Sequence, residues 1–187
     1  MSPGVHLVTS WFIGNTVLKD RRNRIAVALA GASPDLDGLG LIIDRIWDNS
    51  SLYFTYHHIL CHGIFWAIIV SIVSSLVVKT QRLTTAAMAF TVVHFHILAD
   101  IAGSKGPDGY QWPINYLGPF SNSIMLEWSG QWELNAWPNF AFTGILLLAC
   151  FIQAKKQGYS AFEIIPCSFD KEVFKLASKY FKRRGQA

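Results

Sequence analysis

Apolar runs alternate with short polar joints along the chain. The first run covers residues 6–18 and stops at the basic joint 19–24, KDRRNR. The second covers residues 25–33 and meets Pro34, which lacks the N–H that a continuing α-helix needs. Residues 39–47, LGLIIDRIW, predict a short third helix, and 48–56 read as a loop. Two longer runs follow, 59–78 and 83–102, separated by the joint KTQR. Residues 103–135 are rich in Gly, Pro, Trp and Tyr and show no sustained period. The last long run, 136–152, ends at QAKKQG. Beyond it Phe169, Val173, Leu176 and Tyr180 recur at helical spacing with lysines between them, so 168–184 predicts an amphipathic helix.

The runs at 59–78, 83–102 and 136–152 approach the roughly 20 residues that cross a bilayer. The first two are shorter, and tilting, partial insertion or packing against the others all remain open for them. The expected fold is all-α: a polytopic membrane helix bundle over 1–157, followed by a basic amphipathic tail over 158–187. Composition agrees. Charged residues are 15% of the chain, and mean hydropathy is +0.29. That is too apolar for an ordinary soluble domain. A soluble bundle with basic turns is the alternative, and the chargeless stretch IFWAIIVSIVSSLVV argues against it.

The net charge of +4 changes the picture only through its placement. The basic residues sit in the joints, a pattern of membrane topology; no nucleic-acid partner is expected. If the five runs cross in alternation, Lys19 to Arg24, Lys79 with Arg82, and Lys155 with Lys156 share one side. Positive-inside bias makes that side cytoplasmic. The cysteines, Cys61, Cys150 and Cys167, are odd in number and have no metal-finger spacing. The N-terminal residues lack the basic region of a secretory signal.

The other side collects candidate chemistry. His6 opens the first run, and Asp35 and Asp37 alternate in the turn SPDLDG. His57 and His62 flank the start of the 59–78 run, and His96 and Asp100 lie one helical turn apart in HFHILAD. Imidazole with carboxylate is a ligand set for zinc, with manganese or iron as alternatives, and seven candidates allow one or two ions. Each piece alone has a structural explanation. Together on one membrane face they point to a metal site, because ionisable residues at a membrane are expensive to place. His94 lies about 200° around the helix from His96 and reads as a core or hydrogen-bonding residue; for His58 the ligand and structural readings stay open.

The order of an N-terminal His, a PDxD turn, His-x4-His before an apolar helix, His-x3-Asp, a Gly-rich loop and WP resembles a family of membrane-bound metal-dependent hydrolases. That family is also described as LexA-binding, inner-membrane-associated hydrolases. The likeness covers residues 1–155. It implies a helical inner-membrane protein, a divalent metal and hydrolysis; the metal chemistry itself points to an ester or phosphoester as the bond broken. The family's HRGxTHS is HHILCHG here, which keeps the spacing of His57 and His62 but not the Arg or the hydroxyls.

The 103–135 stretch is the candidate substrate platform, with Lys105, Tyr110 and Trp112 as contacts and Asp108, Glu127 or Glu133 as general base. The expected substrate is membrane-derived, with lipid as the partner, and the metal site is expected on the outer face of the inner membrane. Two other classes fit the same residues: a non-catalytic metal-binding protein such as a transporter or sensor, and a regulatory scaffold acting through the basic tail. The run at 136–152 offers a transporter few polar residues.

Overall fold

The structure, a computed structural model, describes residues 1–47, 51–106, 109–165 and Lys175. Asp108 lies outside the described residues, as does the tail helix expected over 168–184 apart from Lys175. The chain forms two compact units, Met1–Ala141 and Phe142–Ala187.

The first unit is built from helices α1 (Pro3–Val17), α2 (Arg21–Ala32), α3 (Gly40–Ile46), α4 (Leu52–Tyr56), α5 (Ile64–Val77) and α6 (Arg82–Gly103). Two short antiparallel strands, β1 (Ile114–Asn115) and β2 (Met125–Leu126), pair Ile114 with Leu126 and Asn115 with Met125. The fold is therefore a helical membrane protein with very little sheet. Among the described residues, three helical stretches are long and apolar enough to cross a membrane: Arg21–Ile46, Arg82–Gly103 and Trp137–Gln157.

Pro34 does end α2, yet the chain does not leave the helical path. It tightens into a 3-10 helix, Ser33–Leu39, in whose first turn proline leaves no bond unmade, and then runs into α3. The loop expected at 48–56 contains α4. Both oxygens of Asp44 cap it, accepting from the Leu52 and Tyr53 amides at 2.8 Å each. The run expected to be helical from residue 59 is helical only from Ile64. His58 has φ +68°, a left-handed conformation that no α-helix contains. The remaining 14 residues of α5 reach about 21 Å, short of a bilayer core of about 30 Å.

Two apolar clusters hold the unit together. Leu18, Val27, Ala30, Ala89 and Val92 join α1, α2 and α6. Ala67, Val93, Ile97 and Ile114 join α5, α6 and β1. At the crossing of α1 and α2 only glycine fits: a Cβ on Gly31 would stand 1.7 Å from Ser10 Oγ. The first two basic joints meet at one end of this unit. Asn23 donates to the Thr80 carbonyl (2.8 Å) and to Thr85 Oγ1 (2.9 Å), and the Lys19 amide donates to Gln81 Oε1 at 3.3 Å. His96 lies three turns further along α6 from Thr85, about 16 Å towards the opposite end.

Helix α7 (Trp137–Gln157) starts in the first unit and supplies most of the described part of the second. Its last turn is basic, with the Lys155 ammonium 5.9 Å from the Phe151 ring. A second 3-10 helix, Ala161–Ile164, is capped by Ser160, whose Oγ accepts from the Phe162 amide.

Candidate metal centre

The segment YHHILCHG wraps around one carboxylate. Asp37 Oδ1 accepts from His57 Nδ1 at 2.7 Å, and its Oδ2 accepts from His62 Nδ1 at 2.9 Å and from the His58 and Cys61 amides at 3.1 and 3.3 Å. Four donors fill the roughly four lone-pair sites of an ionised carboxylate. The left-handed turn at His58 makes this possible, since a continuing helix would have spent those amides on its own carbonyls. Hydrogen bonds from the hairpin brace the turn: the Asn115 amide donates to the His58 carbonyl, and the Ile64 amide to the Tyr116 carbonyl.

With its Nδ1 committed to Asp37, His62 turns Nε2 towards α6. There His96 makes the mirror arrangement: its Nδ1 donates to the Gly31 carbonyl at 2.7 Å, which leaves Nε2 facing inward. A carbonyl only accepts, so in a neutral ring His96 Nε2 carries a lone pair. The two Nε2 atoms are 3.3 Å apart. Asp100 Oδ2 lies 3.0 Å from His96 Nε2 and 3.6 Å from His62 Nε2, and Asp35 Oδ1 lies 3.8 Å from His96 Nε2. One ligand atom from each of Asp35, His62, His96 and Asp100 falls within 4.8 Å of the others.

Two imidazole lone pairs and two carboxylates converging in a buried site require positive charge between them. A proton is one way to supply it: burial opposes charge on His62, but the bonds to Asp100 and Asp37 outweigh that and push its pKa up to about 9. A divalent metal is the other. Ligands at 2.0–2.1 Å around a tetrahedral ion stand about 3.3 Å apart, the scale of the closer separations here. Asp35 Oδ2 is buried without a hydrogen-bond partner, which also suits a cation. The donor set therefore fits a metal.

The remaining expected ligands lie beside this cluster. His6 Nε2 donates to Asp100 Oδ1 at 3.1 Å, the Met1 amino group bonds the same oxygen, and the His6 ring stacks on His96 with centroids 3.6 Å apart. Asp37, His57 and His62 form a second ligand-type group, in which His62 is shared. His94 faces elsewhere: Nδ1 donates to the Phe90 carbonyl, and Nε2 accepts from the Tyr116 hydroxyl at 2.9 Å. Cys61 is buried, and burial with the nearby Asp37 charge pushes its thiol up to about 12, so it offers no thiolate at neutral pH.

A cavity of about 660 Å³ stands over the cluster, with Asp35, Asp100, His57 and His58 among its lining. Lys105 and Trp112 also line it. Tyr110 does not line it, and instead sets its ring edge-on to Trp112 at 6.4 Å. Glu127 and Glu133 are exposed and lie outside the lining. Burial holds the His58 imidazole well below the usual histidine range, so it is neutral.

Two further residues matter that sequence spacing did not reveal. Gly31 sets the His96 tautomer through a backbone oxygen, which no side-chain motif records. The buried Gln131 donates to the Asp100 carbonyl at 2.8 Å and to Ser104 Oγ at 3.2 Å, and accepts from the Trp112 amide at 3.2 Å. It ties the platform to the end of α6 across 31 residues of sequence.

Residues 1–169 match the family described as YdjM inner membrane protein, and the chain belongs to that family. No curated protein and no solved structure matches the chain.

Proposed function

We propose that this member of an inner-membrane family is a metal-dependent hydrolase of an ester or phosphoester. One observation carries the reading: two inward-facing imidazole nitrogens and two carboxylates meet within 4.8 Å, and the two carboxylate residues, Asp35 and Asp100, also line a cavity. Asp35, His62, His96 and Asp100 would hold the ion. Zinc suits that donor set, with manganese or iron as alternatives. When bound, it supplies Lewis acidity towards a carbonyl or phosphoryl oxygen and lowers the pKa of water.

The chain's own residues do the rest. Asp37 fixes the Nδ1–H of His62 and keeps Nε2 free, the support that metal-binding histidines commonly receive. His6 holds the Asp100 carboxylate through Oδ1, and Gln131 holds its backbone carbonyl. His57 is placed to take up a proton: Asp37 holds its Nδ1, Tyr53 stacks on its ring at 4.6 Å, and the ring lines the cavity. On this reading Asp37 and His57 are working partners of one metal centre rather than a second centre. Charge placement in the joints supports a centre on the outer face of the membrane.

The test is metal analysis of the purified full-length chain, followed by a screen of ester and phosphoester substrates. About one ion per chain is expected, with turnover lost in Asp100→Ala and in His96→Ala. Stoichiometric metal without turnover of any ester or phosphoester would leave a non-catalytic metal protein.

A further inference from the structure

The lining of the cavity does not resemble a site that water alone serves. Leu39, Leu41, Phe54 and Leu134 line it, and all four are half exposed or more. The cavity wall is thus also outer surface. Leu39 and Leu41 belong to Arg21–Ile46, one of the stretches long and apolar enough to cross the membrane. Along α3 the exposed apolar surface continues through Ile42 and Ile46, at 57% and 67% exposure. A half-exposed leucine in a membrane-crossing stretch faces lipid, so a cavity walled by such leucines opens sideways into the bilayer.

Polar residues line the same cavity, beside the apolar ones: the Leu134 amide donates to the Lys105 carbonyl, and Trp112 packs on both Phe54 and His58. Among the described residues Lys105 is the one lysine or arginine in the lining. His58 also lines it, 2% exposed, and its Nδ1 is buried without a hydrogen-bond partner. One cation and one unpaired ring nitrogen beside a metal-type cluster are complementary to an anionic oxygen group such as a phosphoryl. Exposed apolar lining, an anion-binding pair and the neighbouring metal-type cluster together suit an amphiphile.

We propose that the substrate is a membrane lipid carrying a phosphoryl group. It enters from the bilayer over α3, laying an acyl chain along Leu39, Leu41 and Phe54 and setting its phosphoryl oxygens between Lys105 and His58. This names the substrate class for the hydrolase reading and rests on it. The bond broken is an ester bond of that phosphoryl group; water supplies the oxygen of one product and a proton goes to the other, so no further reactant is required.

The experiment is native mass spectrometry of the metal-loaded full-length chain in neutral detergent, with metal content measured on the same samples. The probes are dioleoyl phosphatidic acid, diolein and glycerol 3-phosphate. The wild type should retain one phosphatidic acid, and diolein should be retained at least about tenfold more weakly, the scale of a lost charged hydrogen bond. Glycerol 3-phosphate should bind more weakly still, by roughly 100-fold or more, because it buries no acyl chain. Lys105→Gln and Leu41→Asn should each lower phosphatidic acid retention about tenfold with metal content intact. Leu147→Asn, on the exposed surface of α7, should not. If glycerol 3-phosphate displaces the lipid at equal concentration, the substrate is a soluble phosphate and the lipid inference is wrong. Wild-type retention in Lys105→Gln and Leu41→Asn, with metal intact, overturns it equally and leaves the hydrolase reading standing. A wild type that takes up no divalent metal on loading yet keeps the lipid selectivity overturns the hydrolase reading alone.

Discussion

Replacing Asp37 by asparagine separates a residue that supports the metal from one that binds it. Asp37 accepts four hydrogens, two from imidazoles and two from backbone amides. Asparagine keeps one oxygen, which can serve the three donors at the Oδ2 position, and turns its NH2 group towards His57 Nδ1. One contact loses its acceptor, at about 1–3 kcal/mol for an orphaned buried donor, so folding should weaken by about 1–3 kcal/mol. His62 keeps only a neutral acceptor, roughly half as strong as the carboxylate, so its tautomer is fixed less firmly. Such support is worth about 10–100-fold in metal affinity, or about 1.4–2.7 kcal/mol. With metal at about 100 times the wild-type Kd, binding stabilises the wild type by about 2.7 kcal/mol, and this should fall to about 0.4–1.4 kcal/mol in the variant. Competition titration against a chromophoric chelator reads the affinity, and melting with and without excess metal reads the stabilisation. Asp100→Asn, which damages the cluster itself, is the reference. If Asp37→Asn loses metal as completely as Asp100→Asn, Asp37 is a ligand and the support argument fails. If affinity is unchanged, Asp37 exerts no control over His62.

Asp35→Ala, His62→Ala and Asp100→Ala should each lower bound metal, whereas His94→Ala should keep it and loosen only the Tyr116 contact; full metal in the first three would remove the site. Metal loading should release the His62 proton, held up to about 9 by Asp100 and Asp37 against burial, so log affinity should rise by about one per pH unit from about pH 7 and flatten above about pH 9. Without metal the same raised pKa stabilises the folded chain fully below about pH 6.5, and that gain is lost as pH rises through about 9, which chelator-treated melts would read. In whole cells Ser129→Cys should react with an impermeant thiol reagent and Gln157→Cys should not; the opposite labelling would invert the membrane orientation.

What could be read from the sequence followed from period and residue type. Helices α1, α2, α6 and α7 lie where apolar runs lay, with ends shifted by a few residues. Asp35, His62, His96 and Asp100 were candidates by chemistry before any geometry, because such groups are costly near lipid. The breaks were harder to read. Pro34 reads as a stop because an α-helix cannot keep its hydrogen bonds through proline, but a 3-10 turn can begin there. Residues 59–63 looked helical because they are apolar next to an apolar run. Their unwinding depends on Asp37, more than 20 residues earlier, taking the His58 and Cys61 amides, and no local pattern carries that information. Gly31 and Gln131 stayed hidden for the same reason: one acts through its carbonyl and the other across a loop.

The three histidines at the mouth of α5 follow from that unwinding. A regular helix would have placed His58 and His62 on one face, one turn apart, with their amides paired internally. The left-handed turn at His58 instead folds the segment round the Asp37 carboxylate, and the three rings pack against one another with centroids 4.3, 4.4 and 5.4 Å apart. His62 goes to the α6 cluster, and His57 and His58 line the cavity. One buried carboxylate thereby holds two side chains and two backbone amides of the segment at once. Its negative charge is tolerated because four donors surround it, and it can hold those donors because the helix starts late. The shortness of α5 and the geometry of the candidate metal centre thus have the same physical cause.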